Sequence, residues 1–207
     1  MTDLAALDHV DPSHLAALRA RLAERALAAG ELDLRHRSVD SPLGPLLVAA
    51  TPRGVVRVAF SHEGFDEVVA DLARRLSPRV LPAGSTLDDV ARELDEFFAG
   101  RRDEIRVATD LVLAQGFRRQ VLDHLREIPY GRTESYAAVA TSCGNPRAVR
   151  AVGTACATNP VPILVPCHRV VRSDGTTGAY RGGAAAKRWL LAMESAAVTP
   201  ADRHTGT

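Results

Sequence analysis

Apolar residues recur at helical spacing near the start of the chain. After the helix-start signal Asp11-Pro12-Ser13 they stand three or four positions apart, at Leu15, Leu18, Leu22 and Ala26. This spacing predicts an amphipathic helix that ends at Gly30. We expect its apolar side to pack on the body of the protein rather than on a partner.

From Asp33 to Gly100 the pattern changes to short apolar runs separated by turn signals. Three of these runs are typical of strands: residues 34–39, 46–50 and 55–60. Thr51-Pro52-Arg53-Gly54, between the last two runs, predicts a hairpin. Helical spacing returns at residues 65–76 and 90–98. No cluster of Cys, His or paired carboxylates occurs here, so we expect this part to carry no catalytic group.

The second half of the chain is mainly helical in pattern. Four segments carry helical periodicity or helix-start signals: residues 117–125, 136–141, 146–155 and 184–195. Asn145-Pro146 predicts an N-cap and a first helical position for the third segment. A short helix, a turn at Cys143-Gly144 and a second helix give the outline of a helix-turn-helix. That outline also occurs in proteins that do not bind DNA.

These elements predict an α/β protein of the α+β kind. The expected order is a small sheet-plus-helix domain followed by a helical, winged-helix-like domain. The proposed boundaries are a helical extension at 1–33, the N-terminal α+β domain at 34–105, the C-terminal domain at 106–197 and a tail at 198–207.

The chain has 207 residues, of which 46% are hydrophobic, so we expect it to bury a core rather than to be disordered. Its net charge of +1 conceals two opposite halves. Residues 1–105 hold 13 Arg and 18 acidic residues, a net charge of −5. Residues 106–197 hold 12 basic and 6 acidic residues, a net charge of +6. A basic segment of this kind indicates a polyanionic partner.

Three cysteines, Cys143, Cys156 and Cys167, all lie in the second half. Their odd number excludes a closed disulfide framework, and their count excludes a four-cysteine zinc site. No apolar run approaches the ~20 residues that cross a bilayer. The first residues lack the basic start of a secretory signal. We therefore expect a cytoplasmic protein that makes no contact with a membrane.

The segment that carries chemistry ends in Pro166-Cys167-His168-Arg169. Prolines at 160, 162 and 166 exclude a helix across it, and we expect a rigid, nearly extended approach to Cys167. The neighbouring His168 and Arg169 favour a thiolate, and a histidine can accept the thiol proton. Cys167 could equally be a small buried apolar residue. A zinc site with the other cysteines is disfavoured because no two cysteines are closely spaced.

Several separated motifs resemble the O6-alkylguanine-DNA alkyltransferase family, the methylated-DNA–protein-cysteine methyltransferases. Together they cover residues 117–195 almost continuously; residues 34–105 match more loosely, chiefly through Ser41-Pro42-Leu43-Gly44. The motifs are Ile128-Pro129-Tyr130-Gly131, Gly144-Asn145-Pro146, Arg150-Ala151-Val152-Gly153, Pro166-Cys167-His168-Arg169-Val170, Gly178-Ala179-Tyr180 and Leu190-Leu191-Ala192-Met193-Glu194.

The resemblance implies a role for each matching residue. Cys167 would accept the alkyl group, and His168, through a water, would form with Glu194 the relay that keeps it a thiolate. Asn159 would brace the turn before Cys167. Tyr136 would assist base extrusion and protonate the departing guanine. The implied pocket residues are Pro166, Val170, Tyr180 and Arg181, with the Arg181 amide facing the guanine oxygen.

The resemblance further implies a partner, double-stranded DNA containing O6-alkylguanine, and a monomer without cofactor or metal. Arg150 would enter the duplex as a finger and fill the space of the flipped base, and Arg147 and Ser135 would contact the DNA. Because a thioether is not easily hydrolysed, the protein would act once. The two alternatives are a non-catalytic module that binds alkylated DNA and an unrelated thiol hydrolase.

The chain departs from the family pattern at Arg181, where many members have a small residue. A bulky cation there puts the size of the pocket and the range of alkyl groups in question. Arg118 and Leu122 also replace the usual Gln and Trp of their helix. The resemblance offers no counterpart for residues 1–33.

Overall fold

A computed structural model describes residues 11–83 and 85–198. Helix α1 spans Pro12–Ala28. The predicted packing of its apolar residues is wrong in part, because Leu18 and Leu22 are 46% and 56% exposed. The helix lies beside the sheet edge at residues 80–82 and buries only part of its apolar side.

A four-stranded sheet forms the centre of the N-terminal half, in the order β3-β2-β1-β4. Its strands are β1 (Leu34–Val39), β2 (Leu46–Thr51), β3 (Gly54–Phe60) and β4 (Val80–Pro82). The first three are antiparallel neighbours, and β4 pairs parallel to β1. The sequence did not predict β4, because three residues beside a proline carry too little periodicity.

The sheet is covered on both faces, since successive residues of a strand point to opposite sides. Leu47 and Ala49 pack with α2 (Phe65–Arg75). Leu46 and Val48 belong to a larger core that also contains apolar residues of α3 (Asp88–Phe98) and of the C-terminal half. The two halves therefore share one core.

The described part of the C-terminal half contains four α-helices and a two-stranded parallel ladder. The helices are α4 (Gly116–Leu125), α5 (Tyr136–Ser142), α6 (Val149–Ala157) and α7 (Gly183–Val198). The ladder joins β5 (Glu134–Ser135) to β6 (Val170–Val171). The predicted α+β class is confirmed. Among residues 11–83 and 85–198, no helix has the length and apolar character required to cross a bilayer.

The predicted start of the recognition helix at Asn145-Pro146 is wrong. The Ala148 amide donates to the Asn145 carbonyl at 2.9 Å, which closes a turn, and α6 begins only at Val149. Proline is favoured at the second position of such a turn as well as at the first position of a helix, so the sequence signal was ambiguous.

Candidate active site and DNA-facing surface

Cys167 is fully buried at the start of a single 3-10 turn, Cys167–Arg169. The approach to it is not extended as expected. The Val165 amide donates to the Val161 carbonyl at 2.9 Å, and Ile163 has a φ of 76°. A β-branched residue in this left-handed region stores strain. The prolines exclude a helix but permit a tight turn.

The buried side chain of Asn159 forms hydrogen bonds with the backbone of this turn. Its side-chain oxygen accepts from the Val161 amide at 3.0 Å, and its Nδ2 donates to the Val165 carbonyl at 2.9 Å. Nδ2 also lies 3.1 Å from the Cys167 Sγ. One buried amide thus fixes both ends of the turn and contacts the sulfur.

Glu194, on α7, is buried against two residues of the Cys167–Arg169 turn. His168 Nε2 lies 2.8 Å from Glu194 Oε1. Arg169 approaches the same carboxylate with Nε at 3.0 Å from Oε2 and Nη2 at 3.0 Å from Oε1. The Gly131 amide donates to Oε2 at 3.1 Å. A carboxylate with this many donors is fixed in one orientation.

The burial and charges around Glu194 determine the protonation state of His168. Burial alone would raise the pKa of Glu194, but hydrogen bonds from His168 and Arg169, together with the Arg169 charge, lower it to about 2. Burial lowers the pKa of His168, with Glu194 opposing, so the ring is neutral at pH 7. Because Glu194 is ionised, Nε2 carries the ring proton, and Nδ1 presents a lone pair. Nδ1 has no hydrogen-bond partner among the residues described.

The structure corrects the expectation that the neighbours of Cys167 favour its thiolate form. Burial raises the pKa of Cys167 to about 11, although the Asn159 hydrogen bond and the Lys187 charge act in the opposite direction. Arg169, expected from its position to favour a thiolate, donates to Glu194 instead. The resting thiol is therefore protonated at neutral pH, since the charged form loses more by desolvation than it gains from these neighbours.

Lys187 is a site residue that the sequence interpretation missed. It is fully buried on α7, and its Nζ donates to the Val170 carbonyl at 2.6 Å and lies 3.5 Å from the Tyr136 Oη. Burial is the main cause that raises the pKa of Tyr136 to about 12, so the phenol keeps its proton. A signal was present in the sequence, because Lys187 is the single lysine among 26 basic residues.

Three of the pocket residues named from the resemblance are buried, as Cys167 is: Pro166, Val170 and Tyr180. Tyr180 packs edge-on against His168 with ring centroids 6.2 Å apart. The Arg181 side chain is directed toward the N-terminal half. Its Nε donates to Glu63 Oε2 at 2.8 Å. This pairing answers the question of how a bulky cation is accommodated at the position.

The helix-turn-helix presents an exposed surface formed by the start of α6 and the turn before it. Arg150 is exposed in the first turn of α6, whose buried side holds Val152 and Ala155. Arg147 is also exposed but lies in the turn before α6, so it does not share a helical face with Arg150. Ser135 caps α5, because its Oγ accepts from the Ala138 amide at 3.1 Å.

Within residues 11–83 and 85–198, no group of three or more Cys, His, Asp or Glu side chains could hold an ion. Cys143 and Cys156 are free thiols in this part of the chain, and Cys156 is buried in the core.

Comparison with known proteins decides the family. The DNA-binding domain of 6-O-methylguanine DNA methyltransferase matches residues 116–196, and the ribonuclease-like domain of the same family matches residues 34–111. The chain belongs to the 6-O-methylguanine DNA methyltransferase family. The family expected from the sequence motifs is thus confirmed. A methylated-DNA–protein-cysteine methyltransferase of Methanosarcina barkeri is 36% identical over 160 residues, which make up 75% of this chain and 94% of that protein.

Two further members of the methyltransferase family are informative. The bifunctional transcriptional activator/DNA repair enzyme Ada of Escherichia coli is 36% identical over 166 residues, 79% of this chain, which spans only 46% of that protein. The crystal structure of Mycobacterium tuberculosis OGT in complex with DNA has a TM-score of 0.68 and 34% identity, with 79% of this chain and 94% of that chain covered.

Proposed function

We propose that this protein repairs double-stranded DNA by moving the alkyl group of O6-alkylguanine onto its own Cys167. The observation that carries the proposal is the buried Cys167 beside a neutral His168 whose Nε2 is held by Glu194. The family supplies the substrate class, since the relatives are named methylated-DNA–protein-cysteine methyltransferases.

The step exchanges one thiol hydrogen for one alkyl group. His168 Nδ1 takes the proton of Cys167 through a water, and the sulfur forms a bond to the alkyl carbon as the bond from that carbon to O6 breaks. The electron pair of the broken bond stays on guanine, which receives the phenolic proton of Tyr136. The ammonium group of Lys187 stabilises the resulting phenolate until solvent returns a proton, while the proton on His168 leaves to solvent.

The pocket must receive a base that has left the DNA stack, because O6 lies inside the duplex. Exposed Arg150 fits the role of the finger that fills the vacated space, and Arg147 and the start of α5 at Ser135 fit contacts to the backbone. The M. tuberculosis relative solved in complex with DNA supports DNA as the partner.

Intact-mass measurement after mixing with a duplex that contains one O6-methylguanine tests the function. We expect one methyl group per protein, located on Cys167 by peptide mapping, and no second turnover because a thioether is a poor leaving group. Binding without any mass change would instead identify a non-catalytic lesion-binding module. Repeated turnover of a thioester without DNA would identify a thiol hydrolase.

Arg150→Ala should slow repair of duplex DNA at least about tenfold, because unstacking a base costs about a few kcal/mol and each ~1.4 kcal/mol is a factor of ten in rate. Transfer from free O6-benzylguanine should be unchanged, since no base has to be flipped. The measurement is the pair of rate constants. The control Arg119→Ala removes an exposed arginine that pairs with Asp123 on α4. Equal slowing of both substrates by Arg150→Ala would assign Arg150 a structural role.

DNA affinity should fall steeply with salt, because the +6 charge of residues 106–197 releases counterions from the duplex. The expected slope of log affinity against log salt is about −0.9 per phosphate contacted. Titrations of an unmodified duplex over a salt series measure it. An affinity that does not change with salt would contradict DNA binding dominated by phosphate contacts.

The proposal includes the organisation of the chain. Residues 34–105 form the N-terminal domain and residues 106–197 the DNA-binding alkyltransferase domain, flanked by the extension at 1–33 and the tail at 198–207. We place the protein in the cytoplasm and propose that it acts as a monomer.

A further inference from the structure

Glu63, in the short 3-10 turn after β3, binds two guanidinium groups at once. Its Oε2 accepts from Arg181 Nε at 2.8 Å and from Arg57 Nη2. Its Oε1 accepts from the Phe60 amide at 2.9 Å. Burial would raise the pKa of Glu63, but this amide and the two arginines lower it, so the carboxylate is ionised at neutral pH. The Arg57 and Glu63 side chains are only 8% and 13% exposed.

Both arginines continue from Glu63 to the turn that precedes Cys167. Arg181 Nη1 donates to the Asn159 carbonyl at 3.2 Å. Arg57 Nη1 donates to the Pro160 carbonyl at 3.3 Å, which also accepts from the Val58 amide at 2.8 Å. The carboxylate is therefore the common anchor of residues 172–183, here called the pocket loop, and of the turn that precedes Cys167.

Apolar and backbone contacts place the pocket loop on the same edge of the N-terminal half. A Cβ added to Gly182 would lie 2.5 Å from the Phe60 ring, so the loop backbone rests directly on that ring. Phe60 also packs edge-on against Tyr180, with centroids 5.8 Å apart. His62 Nε2 lies 3.1 Å from the Arg181 carbonyl. Residues 57–63 thus form one support of the pocket.

We propose that Glu63 is a positioning residue for alkyl transfer, which holds the Arg181 segment and the Asn159-Pro160 turn at a fixed separation through Arg57 and Arg181. The proposal rests on the function proposed above. The N-terminal half thereby takes part in the reaction through Glu63 and Arg57, which lie outside the motifs near Cys167.

The physical basis is preorganisation of the pocket. In the proposed reaction the guanine is contacted from two sides, by the Arg181 amide and by the turn that carries Cys167, and a small increase in the freedom of either segment raises the barrier to transfer. Two hydrogen-bonded ion pairs to one buried carboxylate restrict both segments, since charge-assisted bonds are stronger and more directional than neutral ones.

The test compares Glu63→Gln with Glu67→Gln. Glu63 and Glu67 both line a cavity of about 380 Å³. Glu67 is exposed and takes no part in the Glu63 ion pairs. The maximal rate and the half-saturating concentration are measured with free O6-benzylguanine and with a methylated duplex, at a temperature where each variant is folded. We expect Glu63→Gln to lower the maximal rate about tenfold on both substrates, a change of about 1.4 kcal/mol in the barrier. Glu67→Gln should match the wild type.

A second variant covers the case in which Glu63→Gln does not fold. Arg181→Met removes the partner that is more exposed and leaves the Glu63 to Arg57 pair in place. Arg181→Met should also lower the maximal rate on both substrates, by a smaller factor than Glu63→Gln does. The double variant Glu63→Gln/Arg181→Met should be no slower than Glu63→Gln alone, because Glu63→Gln already breaks the pair between Glu63 and Arg181.

Hydrogen exchange of residues 172–183 gives a readout that needs no transfer. We expect faster exchange in Glu63→Gln and unchanged exchange in Glu67→Gln. Equal rate constants for these two variants, or a loss confined to duplex DNA, would overturn the proposal. A wild type that transfers nothing would overturn the proposed function, while the exchange result would still decide whether Glu63 tethers the loop.

Discussion

Cys167→Ala should abolish alkyl transfer completely while the protein continues to bind DNA. The Cys167 sulfur is the proposed nucleophile, and among the cysteines of the described residues it is the one whose Sγ contacts the Asn159 side-chain amide. The change deletes one buried atom, so the protein should stay folded. Intact mass after incubation with the methylated duplex, together with an affinity measurement, checks both parts of the prediction.

Cys143→Ala is the matched control for the loss of a thiol. Cys143 is half-buried at the end of α5, outside the site, and its variant should take up one methyl group like the wild type. A methylated Cys167→Ala protein would show that another residue is the acceptor, and the assignment of His168 and Asn159 would then fail with it.

Glu194→Gln should lower the free energy of unfolding by about 3 kcal/mol at pH 7, because it leaves the buried Arg169 without its counter-charge. Transfer to both free base and duplex should also slow, since His168 loses the anion that orients it. Denaturant unfolding and the two rate constants are the measurements. Glu127→Gln, which removes an exposed carboxylate, should change stability by no more than about 0.5 kcal/mol.

The stability difference between wild type and Glu194→Gln should depend on pH. The pKa of Glu194 is about 2 in the folded protein against a usual value of 4.5. A depressed folded pKa gives stability that is fully present above 4.5 and is lost as the pH falls toward 2. The difference should therefore shrink over that interval. A difference that stays constant down to pH 2 would show that the charge of Glu194 contributes nothing to the fold.

The local elements could be predicted because their signals are contained in short stretches of sequence. The strand at Leu34–Val39 has the expected bounds, and α3 and α7 lie within a few residues of their predicted positions. Periodicity and turn residues act over a few positions, so no distant contact is needed to recognise them. The predicted start of α6 is wrong because such short signals can be ambiguous: Asn145-Pro146 is as typical of a turn as of the start of a helix.

The candidate nucleophile could also be found from the sequence. Cys167 stands next to His168 in a proline-framed segment, and the motifs around it lie at separations typical of one family. Glu194 was assigned to His168 through that resemblance, and the structure brings the two together at 2.8 Å across 26 residues of chain.

The tertiary structure alone decided the electrostatics of the site and its support. Whether Arg169 faces the thiol or Glu194 depends on where α7 packs, and the pKa of Cys167 depends on burial by residues from several elements. The bond from Glu63 to Arg181 joins residues 118 positions apart. Short sequence patterns carry no information on such contacts, because hydrogen bonding and desolvation depend on distance in space rather than on distance along the chain.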